Sequence, residues 1–396
     1  MRKCKLLRYL ACCVVLLLSG CVLAERDPDV PAKIGVILPL SGKNGEQGRR
    51  ILDGIRCGRT ALEKQPGAVL LPELLIGDSR GLPSDIRSAA KDMIAQGAAL
   101  LIVGSNSAEA LAVKSIAAEY RIPVITPNGS NDRITENNPY MFRTTFTDRQ
   151  QAKALAAYAY YKRRMRRMAV MLNLEENAVY SRDLGRQTAQ AFADCGGVIS
   201  ATAGFRESDK DFSAPVKLLL KEMPDVIVVP AYSDCAGKII RTLRNAGFRG
   251  LILGGDGWHG SGLLANCGNP GDASFSSAYA PDATAAGADM FRKLFREQFN
   301  RVPTAHELLG YDTMLLAAAV TRSTVNSDEV LEKFDQLRQF QGGAGSVFLK
   351  EEGNISRPIY INRLLYPKPA GPAKISYELT MPPERQTDVT PKQPLW

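Results

Sequence analysis

Histidine is nearly missing from this sequence, because only His259 and His306 occur among its 396 residues. Two histidines leave little material for a zinc site or for a catalytic triad that depends on histidine. No G-x-x-x-x-G-K-[ST] segment is present either, so a phosphate-cradling P-loop is not indicated. From these absences we expect no metal, no cofactor and no enzymatic activity.

Composition and charge exclude further classes of protein. The chain is 45% hydrophobic and 23% charged, which is typical of a soluble globular protein, and its length is enough for two domains. Residues 1–20 carry four basic and no acidic residues, so their removal lowers the formal net charge from +9 to +5. Such a mild basic surplus does not indicate a nucleic-acid partner.

The first twenty residues have the composition of a secretory signal peptide. Basic residues precede an apolar run from Tyr9 to Leu18, which is too short to span a membrane stably. The following Leu18-Ser19-Gly20-Cys21 resembles the bacterial lipobox, in which the cysteine becomes the lipidated first residue. We therefore predict a lipid anchor on Cys21; the alternative is an ordinary signal peptide with a chance cysteine.

Four other cysteines remain after the predicted signal, namely Cys57, Cys195, Cys235 and Cys267. Their spacings match no metal-binding motif. Export makes disulfides possible, and Cys235 with Cys267 is the pair to suspect because both follow neighbouring predicted strands. Free buried thiols are an equally good interpretation.

Strand-like and helix-like segments alternate from Lys33 onward. Apolar runs such as KIGVILPL, ALLIVG and IPVITP alternate with segments of helical periodicity such as RRILDGIRCGRTALE and SDIRSAAKDMIAQGA, the latter with an apparent serine cap at Ser84. This strict alternation predicts βαβ units and an α/β fold with a parallel, doubly wound sheet.

A second sheet of the same type is predicted after a helical stretch over 148–164. RMAVMLNL, DVIVVPAY and GLILGGDGW read as its strands, and two long helical segments follow at 285–299 and 305–323. The tail 366–396 contains seven prolines and little periodicity, so we expect it to be extended or loosely packed.

Polar residues follow several predicted strands, where ligands bind in doubly wound sheets. Hydroxyls and N–H groups at helix starts suit a carboxylate, whereas an acid between glycines at a strand end needs a cation or hydrogen bonds. Taken singly, each serine is explained more simply as a helix N-cap. For the acid, either the fold or a ligand supplies the partner. The residues at these positions are Ser105, Asn106, Ser107, Thr126, Asn128, Gly129, Ser130, Tyr180, Tyr232 and Asp256.

The chain contains, in this order, the segments PLSGKNGEQG, VITPNGS, FRTT, AYSDCAGKIIRTLRNAGF, GGDGW, LGYDTMLLAAAV and FQGGAGSVFLKEEGN. Through these segments it resembles, from about Lys33 to Leu365, the Leu/Ile/Val-binding protein family, the type I periplasmic solute-binding proteins of ABC transporters, in which they follow the same order. The resemblance implies two doubly wound, Rossmann-like lobes joined by a hinge, which close on a ligand and seal it from water.

The resemblance also implies a role for individual residues. Ser107 matches the carboxylate-binding hydroxyl, the backbone carbonyl of Asn128 accepts the ammonium group, and Ser130 helps to hold the zwitterion. Tyr180 and Tyr232 match the aromatic residues of the second lobe. Asp256 matches the ammonium-binding acid, as Asp instead of Glu.

Three positions depart from the branched-chain binders. Gln47 stands where an aromatic side chain covers the ligand, Ser105 replaces an apolar pocket residue, and a second pocket aromatic falls near His306. Polar walls disfavour an aliphatic side chain because their hydrogen-bonding groups are left unpaired. We therefore expect an amino acid or related zwitterion that is not a branched aliphatic one.

The expected organisation is a signal peptide at 1–20, a lipidated tether at 21–32, two lobes and the tail 366–396. Lobe 1 is expected to combine 33–146 with 279–344, and lobe 2 to combine 147–278 with 345–365, with crossings near Thr147, Ala278 and Gly345.

The expected function is a solute-binding lipoprotein of the bacterial cell envelope, anchored to a membrane and facing the periplasm or exterior, that delivers its ligand to an ABC transporter permease. The alternative is a sensing or envelope-organising lipoprotein of the same fold without a transport role. An exported enzyme is disfavoured because no histidine lies where Ser107 or Ser130 can use it as a base.

Overall fold

The computed structural model describes residues 31–42, 44–65, 70–176, 178–282, 284–285, 287–324, 326–365 and 374–381. The predicted signal peptide, Cys21 and most of the tether lie outside the described residues. Within the described ranges no helix is long and apolar enough to cross a membrane.

Strands and helices alternate along most of the chain. In chain order they are β1 (Lys33–Leu38), α1 (Gly45–Glu63), β2 (Glu73–Asp78), α2 (Pro83–Ala95), β3 (Ala98–Val103), α3 (Ser107–Tyr120), β4 (Val124–Thr126), β5 (Met141–Arg143), α4 (Asp148–Ala157), β6 (Arg167–Asn173), α5 (Val179–Asp194), β7 (Val198–Phe205), α6 (Ser213–Lys221), β8 (Val226–Val228), α7 (Ser233–Asn245), β9 (Leu251–Gly254), α8 (Ser261–Cys267), β10 (Ala273–Ser277), α9 (Ala288–Phe299), α10 (Ala305–Thr321), α11 (Ser327–Gln336), β11 (Gln339–Gly342), β12 (Gly345–Leu349), β13 (Ile355–Ser356), β14 (Ile359–Leu365) and β15 (Lys374–Met381).

The first lobe is built on a parallel five-stranded sheet with the order β2-β1-β3-β4-β5. Successive side chains of a strand point to opposite faces, and β1 shows the consequence. Ile34, Val36 and Leu38 pack against α1, α10 and α11, whereas Ile37 packs against α2 and α3. Helices therefore cover both faces, as the apolar runs of the sequence predict.

The second lobe contains a seven-stranded sheet with the order β15-β14-β10-β9-β8-β6-β7. Strands β6 to β10 are parallel, and β14 and β15 add two antiparallel strands at one edge. One face packs against α6, α7 and α8, and the other against α4 and α5. The prediction of an α/β fold with two doubly wound lobes is confirmed.

Some local expectations differ from the structure. The predicted cap Ser84 lies inside α2, because the helix already begins at Pro83, whose missing N–H suits a first helical position. Residues 374–381 of the proline-rich tail form β15. Cys235 and Cys267 are free thiols in the core of the second lobe, so no disulfide joins them.

The chain passes three times between the two sheets. The first crossing follows β5, where Thr147 caps α4 with a capping box, and the second follows β10 near Ala278. The third differs from the expected boundary at Gly345. Strands β11 to β13 form a small separate sheet whose Phe340 and Leu349 pack on the first-lobe core, so the chain reaches the second sheet only at residues 357–358.

A buried ion pair fixes this third crossing. Arg357 Nη2 lies 3.0 Å from Asp312 Oδ2 of α10, and both side chains are almost fully buried. Arg357 also donates to the carbonyl of Thr144 at 2.8 Å, and Asp312 accepts from Gly343 N at 2.7 Å. The pair therefore ties the third crossing to the first one and to α10.

Candidate functional site

Asp256 lies between the lobes, in a short 3-10 turn directly after β9. Its carboxyl group is buried, with only 6% of the residue exposed. Gln151 Nε2 donates to Asp256 Oδ1 at 3.1 Å, and the Tyr180 hydroxyl also hydrogen-bonds the carboxyl group. Burial raises the pKa of Asp256 to about 6. Among the ion pairs of the described residues none includes Asp256, so its charge lacks a cation.

Gln151 of α4 holds two buried acids with one amide group. Its Nε2 donates to Asp148 Oδ1 at 2.9 Å as well as to Asp256, while its Oε1 accepts from Asp256 N at 3.2 Å and from Ser276 Oγ at 2.7 Å. Burial, followed by the charge of Asp256, raises the pKa of Asp148 well above its usual range. The charge of Asp256 thus disfavours ionisation of its neighbour Asp148.

Tyr180 and Tyr232, the predicted aromatic residues of the second lobe, pack against each other. Their ring centroids are 5.2 Å apart in a stacked arrangement, and the Tyr180 hydroxyl accepts from Gly257 N at 2.8 Å. Burial raises the pKa of both phenols well above the usual value, so they remain neutral hydrogen-bonding groups. Gly255 and Gly257 let the backbone approach closely, because an added Cβ at either would meet the Tyr180 hydroxyl at 2.5 or 2.8 Å.

The first-lobe serines differ in how they are used. Ser107 opens α3, and its Oγ accepts from Asn131 N at 3.1 Å, which leaves its hydroxyl hydrogen available to another acceptor. The hydroxyl of Ser130 instead bonds the carboxyl of Asp148. Asn128 is half-buried and donates its side-chain amide to the carbonyl of Ser105 at 3.0 Å.

Ser105 was predicted to form part of a polar pocket wall, but its side chain contacts Glu109. The sequence pattern did not single out Glu109. Buried Glu109 accepts from Ser105 N at 2.7 Å and from Ser105 Oγ at 3.1 Å. Asn44 and Asn106 donate to its other oxygen at 3.0 and 2.8 Å. The Ser105 hydroxyl therefore donates its hydrogen bond to Glu109. Gln47, the other predicted polar residue of the pocket, is half-buried on α1. The four-residue spacing of Ser105 and Glu109 at a helix start is the signal that identifies this contact.

The two histidines meet across the lobes. His259 lies at the end of the Asp256 turn and His306 near the start of α10, with ring centroids 5.9 Å apart. His259 Nε2 lies 2.7 Å from Ser277 Oγ. Burial and then the charge of His306 lower the pKa of His259 to about 3, and burial lowers that of His306 to about 4. Both rings are therefore neutral at pH 7. His306 was expected near the pocket, whereas His259 was not, although it follows Asp256 by only three residues.

Other polar contacts join the two lobes around this site. Asn131 Nδ2 donates to Asp183 Oδ2 at 2.8 Å, and Gln187 Nε2 donates to Asp132 Oδ2 at 2.9 Å. At another point of the cleft Ser261 Oγ donates to Glu46 Oε2 at 2.7 Å. Because these hydrogen bonds cross from one lobe to the other, the structure represents the closed arrangement of the lobes.

Two segments match glycine-containing sequence motifs of enzymes, but neither adopts the local structure that the motif has in those enzymes. Gly77–Gly81 reads G-x-S-x-G, yet its Ser79 is fully buried, and both histidines lie at the cleft, where His259 bonds Ser277. Gly255–Gly260 reads G-x-G-x-x-G, yet it opens the short turn that carries Asp256, not a long helix that binds phosphate. Within the described ranges no group of three or more His, Cys, Asp or Glu side chains is arranged to hold a metal ion.

Comparisons with known proteins agree with this architecture. The pattern of the periplasmic binding protein family matches residues 31–365. Leu/Ile/Val-binding protein homolog 3 of Brucella melitensis is 25% identical over 339 residues, which are 83% of this chain and 89% of the relative.

Solved structures show the same fold. The leucine-binding protein LivK of Thermotoga maritima MSB8 superposes with a TM-score of 0.78 at 28% identity, covering 89% of this chain and 99% of LivK. A solute-binding protein of Rhodopseudomonas palustris BisB5 in complex with 3,4-dihydroxybenzoic acid has a TM-score of 0.74 at 18% identity, covering 89% of this chain and 97% of that one, and shares the fold alone. The resemblance stated from the sequence is thus confirmed, and the chain belongs to the periplasmic binding protein family, a membership that implies an exported, periplasmic solute-binding protein.

Proposed function

We propose that this protein captures an amino acid or a closely related zwitterion between its two lobes and delivers it to an ABC transporter permease, as a binding protein without catalysis. The observation that carries the proposal is Asp256. A buried carboxylate without a cationic partner is costly, and an ammonium group of a ligand removes that cost. The Tyr180 hydroxyl and the Gln151 amide hydrogen-bond the carboxyl group and so fix its orientation for the proposed contact with the ligand ammonium group.

The other end of the zwitterion is assigned to the start of α3. Ser107 is the first residue of this helix, where N–H groups and the helix dipole favour an anion. Its hydroxyl accepts from Asn131 N and keeps its own hydrogen for a ligand carboxylate. The backbone carbonyl of Asn128 remains the proposed second acceptor for the ammonium group. Ser130 contributes indirectly, because its hydroxyl orients Asp148.

The ligands named for the relatives all carry a carboxylate, which supports a carboxylate-bearing ligand here, but only some of them carry an ammonium group. The Brucella and Thermotoga relatives are named for branched-chain amino acids or leucine, whereas the Rhodopseudomonas protein holds 3,4-dihydroxybenzoic acid, which has no ammonium group. Asp256 is what favours an amino acid here, because an aromatic acid leaves its charge unpaired. Gln47 and His306 disfavour a purely aliphatic side chain.

Thermal unfolding against a ligand panel tests the proposal. The panel contains the common amino acids, their deaminated and decarboxylated analogues, benzoate and 3,4-dihydroxybenzoate. A ligand at a thousandfold excess over its Kd stabilises the folded state by roughly 4 kcal/mol. We expect a shift with an amino acid and none with its deaminated analogue. A shift with benzoates alone contradicts the zwitterion assignment.

Asp256→Ala is the direct test of the site. It should abolish the shift by the amino acid while leaving the ligand-free protein folded, because no buried cation among the described residues loses its partner when this acid is removed. The matched control is Asp211→Ala, since Asp211 is an exposed acid of the same lobe and its loss should leave binding unchanged. Unchanged affinity in Asp256→Ala contradicts the proposed role.

Anchoring and delivery need separate experiments. We propose that Cys21 carries the lipid that holds the protein at a bacterial membrane. In the native host, Cys21→Ser should abolish incorporation of labelled fatty acid and release the protein from the membrane fraction. Co-purification of a membrane permease with the ligand-loaded protein supports transport, whereas ligand binding without any permease partner supports the sensing or envelope-organising alternative.

A further inference from the structure

The two histidines form a polar surface beside the proposed site that the zwitterion contacts do not use. His259 is 8% exposed and His306 is 3% exposed. They come from opposite lobes and meet only because the lobes are closed, with ring centroids 5.9 Å apart. His259 follows Asp256 in one turn and donates its backbone N–H to the Asp256 carbonyl at 3.2 Å. The backbone of His259 is therefore fixed to that of the acid that is proposed to hold the ligand ammonium.

Hydrogen-bond geometry identifies the tautomer of His259. Ser277 Oγ lies 2.7 Å from the carbonyl oxygen of Tyr279, and two oxygens at that distance require a proton between them, which only the hydroxyl can supply. Ser277 therefore accepts from His259 Nε2, which must carry a hydrogen. In a neutral ring Nδ1 is then a bare acceptor.

Several ring nitrogens of the pair lack partners. Among the described residues, no hydrogen bond reaches Nδ1 of His259 or either nitrogen of His306. A neutral imidazole has one donor and one acceptor, so the pair offers the acceptor of His259 together with a donor and an acceptor of His306. A ligand held between the lobes can supply the partners of these nitrogens.

The surrounding charges are already paired. Arg50 bridges Glu46 at 3.1 Å and Glu307 at 2.9 Å, and Arg301 also pairs with Glu307. A charged group at the far end of the ligand thus finds no unpaired counter-charge among these side chains. What remains is neutral hydrogen bonding.

We propose that His259 and His306 recognise the side chain of the ligand and that this side chain ends in a carboxamide. A carboxamide supplies an N–H for Nδ1 of His259 and a carbonyl oxygen for the N–H of His306, in one planar group. A carboxylate has no hydrogen for Nδ1, an ammonium group has no acceptor for the His306 donor, and an aliphatic chain satisfies neither ring. This inference rests on the proposed function, since it takes the ammonium group of the amino acid to be held by Asp256.

Calorimetric titration of the full chain with L-glutamine, L-asparagine, L-glutamate, L-lysine, L-leucine and L-norleucine tests the inference. One of the two carboxamide amino acids should bind at least about 10-fold more tightly than any of the other four. His306→Phe keeps a ring of similar size and should reduce that preference over norleucine by roughly 10- to 100-fold. His306→Gln restores a donor and an acceptor and should recover part of it.

The outcomes separate this inference from the proposed function. Tighter binding of leucine, norleucine, glutamate or lysine overturns the carboxamide assignment but leaves the amino-acid site in place. An unchanged preference in His306→Phe, with the ligand-free melting temperature of the variant also unchanged, overturns the role of the histidines. If none of the amino acids binds, the proposed function fails, and this inference fails with it.

Discussion

The affinity of the proposed site should depend on pH in a way that the structure specifies. Burial between the closed lobes raises the pKa of Asp256 to about 6 when no ligand is bound. An ammonium group needs the ionised acid, so the proton and the ligand compete for the same carboxyl group. Lowering the pH below about 6 must therefore weaken binding, whereas raising it further has little effect.

The size of the effect follows from that pKa. The apparent Kd increases by a factor of 1 + 10^(pKa − pH), which is about 11 at pH 5 and close to 1 at pH 8. Affinity should thus fall about 10-fold between these limits. Burial lowers the pKa of His259 to about 3 and that of His306 to about 4, below this window, so neither ring should mask the change.

Isothermal titration calorimetry at pH 5, 6, 7 and 8 provides the assay. Near pH 6 each binding event should release roughly half a proton, which is detected by repeating the titration in buffers of different ionisation enthalpy. Asp148→Asn serves as the control and should keep the pH dependence, because burial is the largest cause of the Asp256 shift. A Kd that stays constant from pH 5 to 8 refutes the assignment of Asp256 as the ammonium-binding carboxylate.

Three further substitutions test how the site is held. Gln151→Met removes the amide that bonds two buried acids and should weaken ligand binding by at least about 10-fold, measured by calorimetry, with a loss of about 1–3 kcal/mol in urea unfolding. Arg357→Met leaves Asp312 buried and unpaired at the third crossing, so the free energy of unfolding should fall by about 3–5 kcal/mol; a change below about 1 kcal/mol contradicts the importance of that pair. Ser261→Ala removes one hydrogen bond between the lobes and should raise the Kd about 2- to 10-fold without changing ligand-free stability.

Much of the fold was predictable because its signals are local. Strands such as β3 are continuous apolar runs, which is the pattern of a parallel sheet covered on both faces. The acid after β9 was recognisable for a similar reason, because ligands of such sheets bind at the carboxyl ends of the strands. Asp256 accordingly lies buried between the lobes.

The parts that escaped prediction depend on contacts between distant residues. The third crossing lies at residues 357–358 because Arg357 pairs with Asp312, and neither residue interrupts the local pattern that suggested Gly345. The strand β15 arises in a proline-rich tail because β14 offers it a free edge. Glu109 reads as an ordinary polar residue in the first turn of a helix, yet it is 2% exposed and accepts a hydrogen bond from the hydroxyl of Ser105.

The sequence by itself determined the βαβ rhythm, the two lobes and the position of an acid at a strand end, because periodicity and glycine placement act over a few residues. Only the tertiary structure decided which polar groups are already satisfied. It pairs Ser105 with Glu109, gives Asp256 no cationic partner within the described part of the chain, and brings the ring centroid of His306 to 5.9 Å from that of His259. The physical reason is that hydrogen bonding and burial are properties of neighbours in space, and here those neighbours come from opposite lobes.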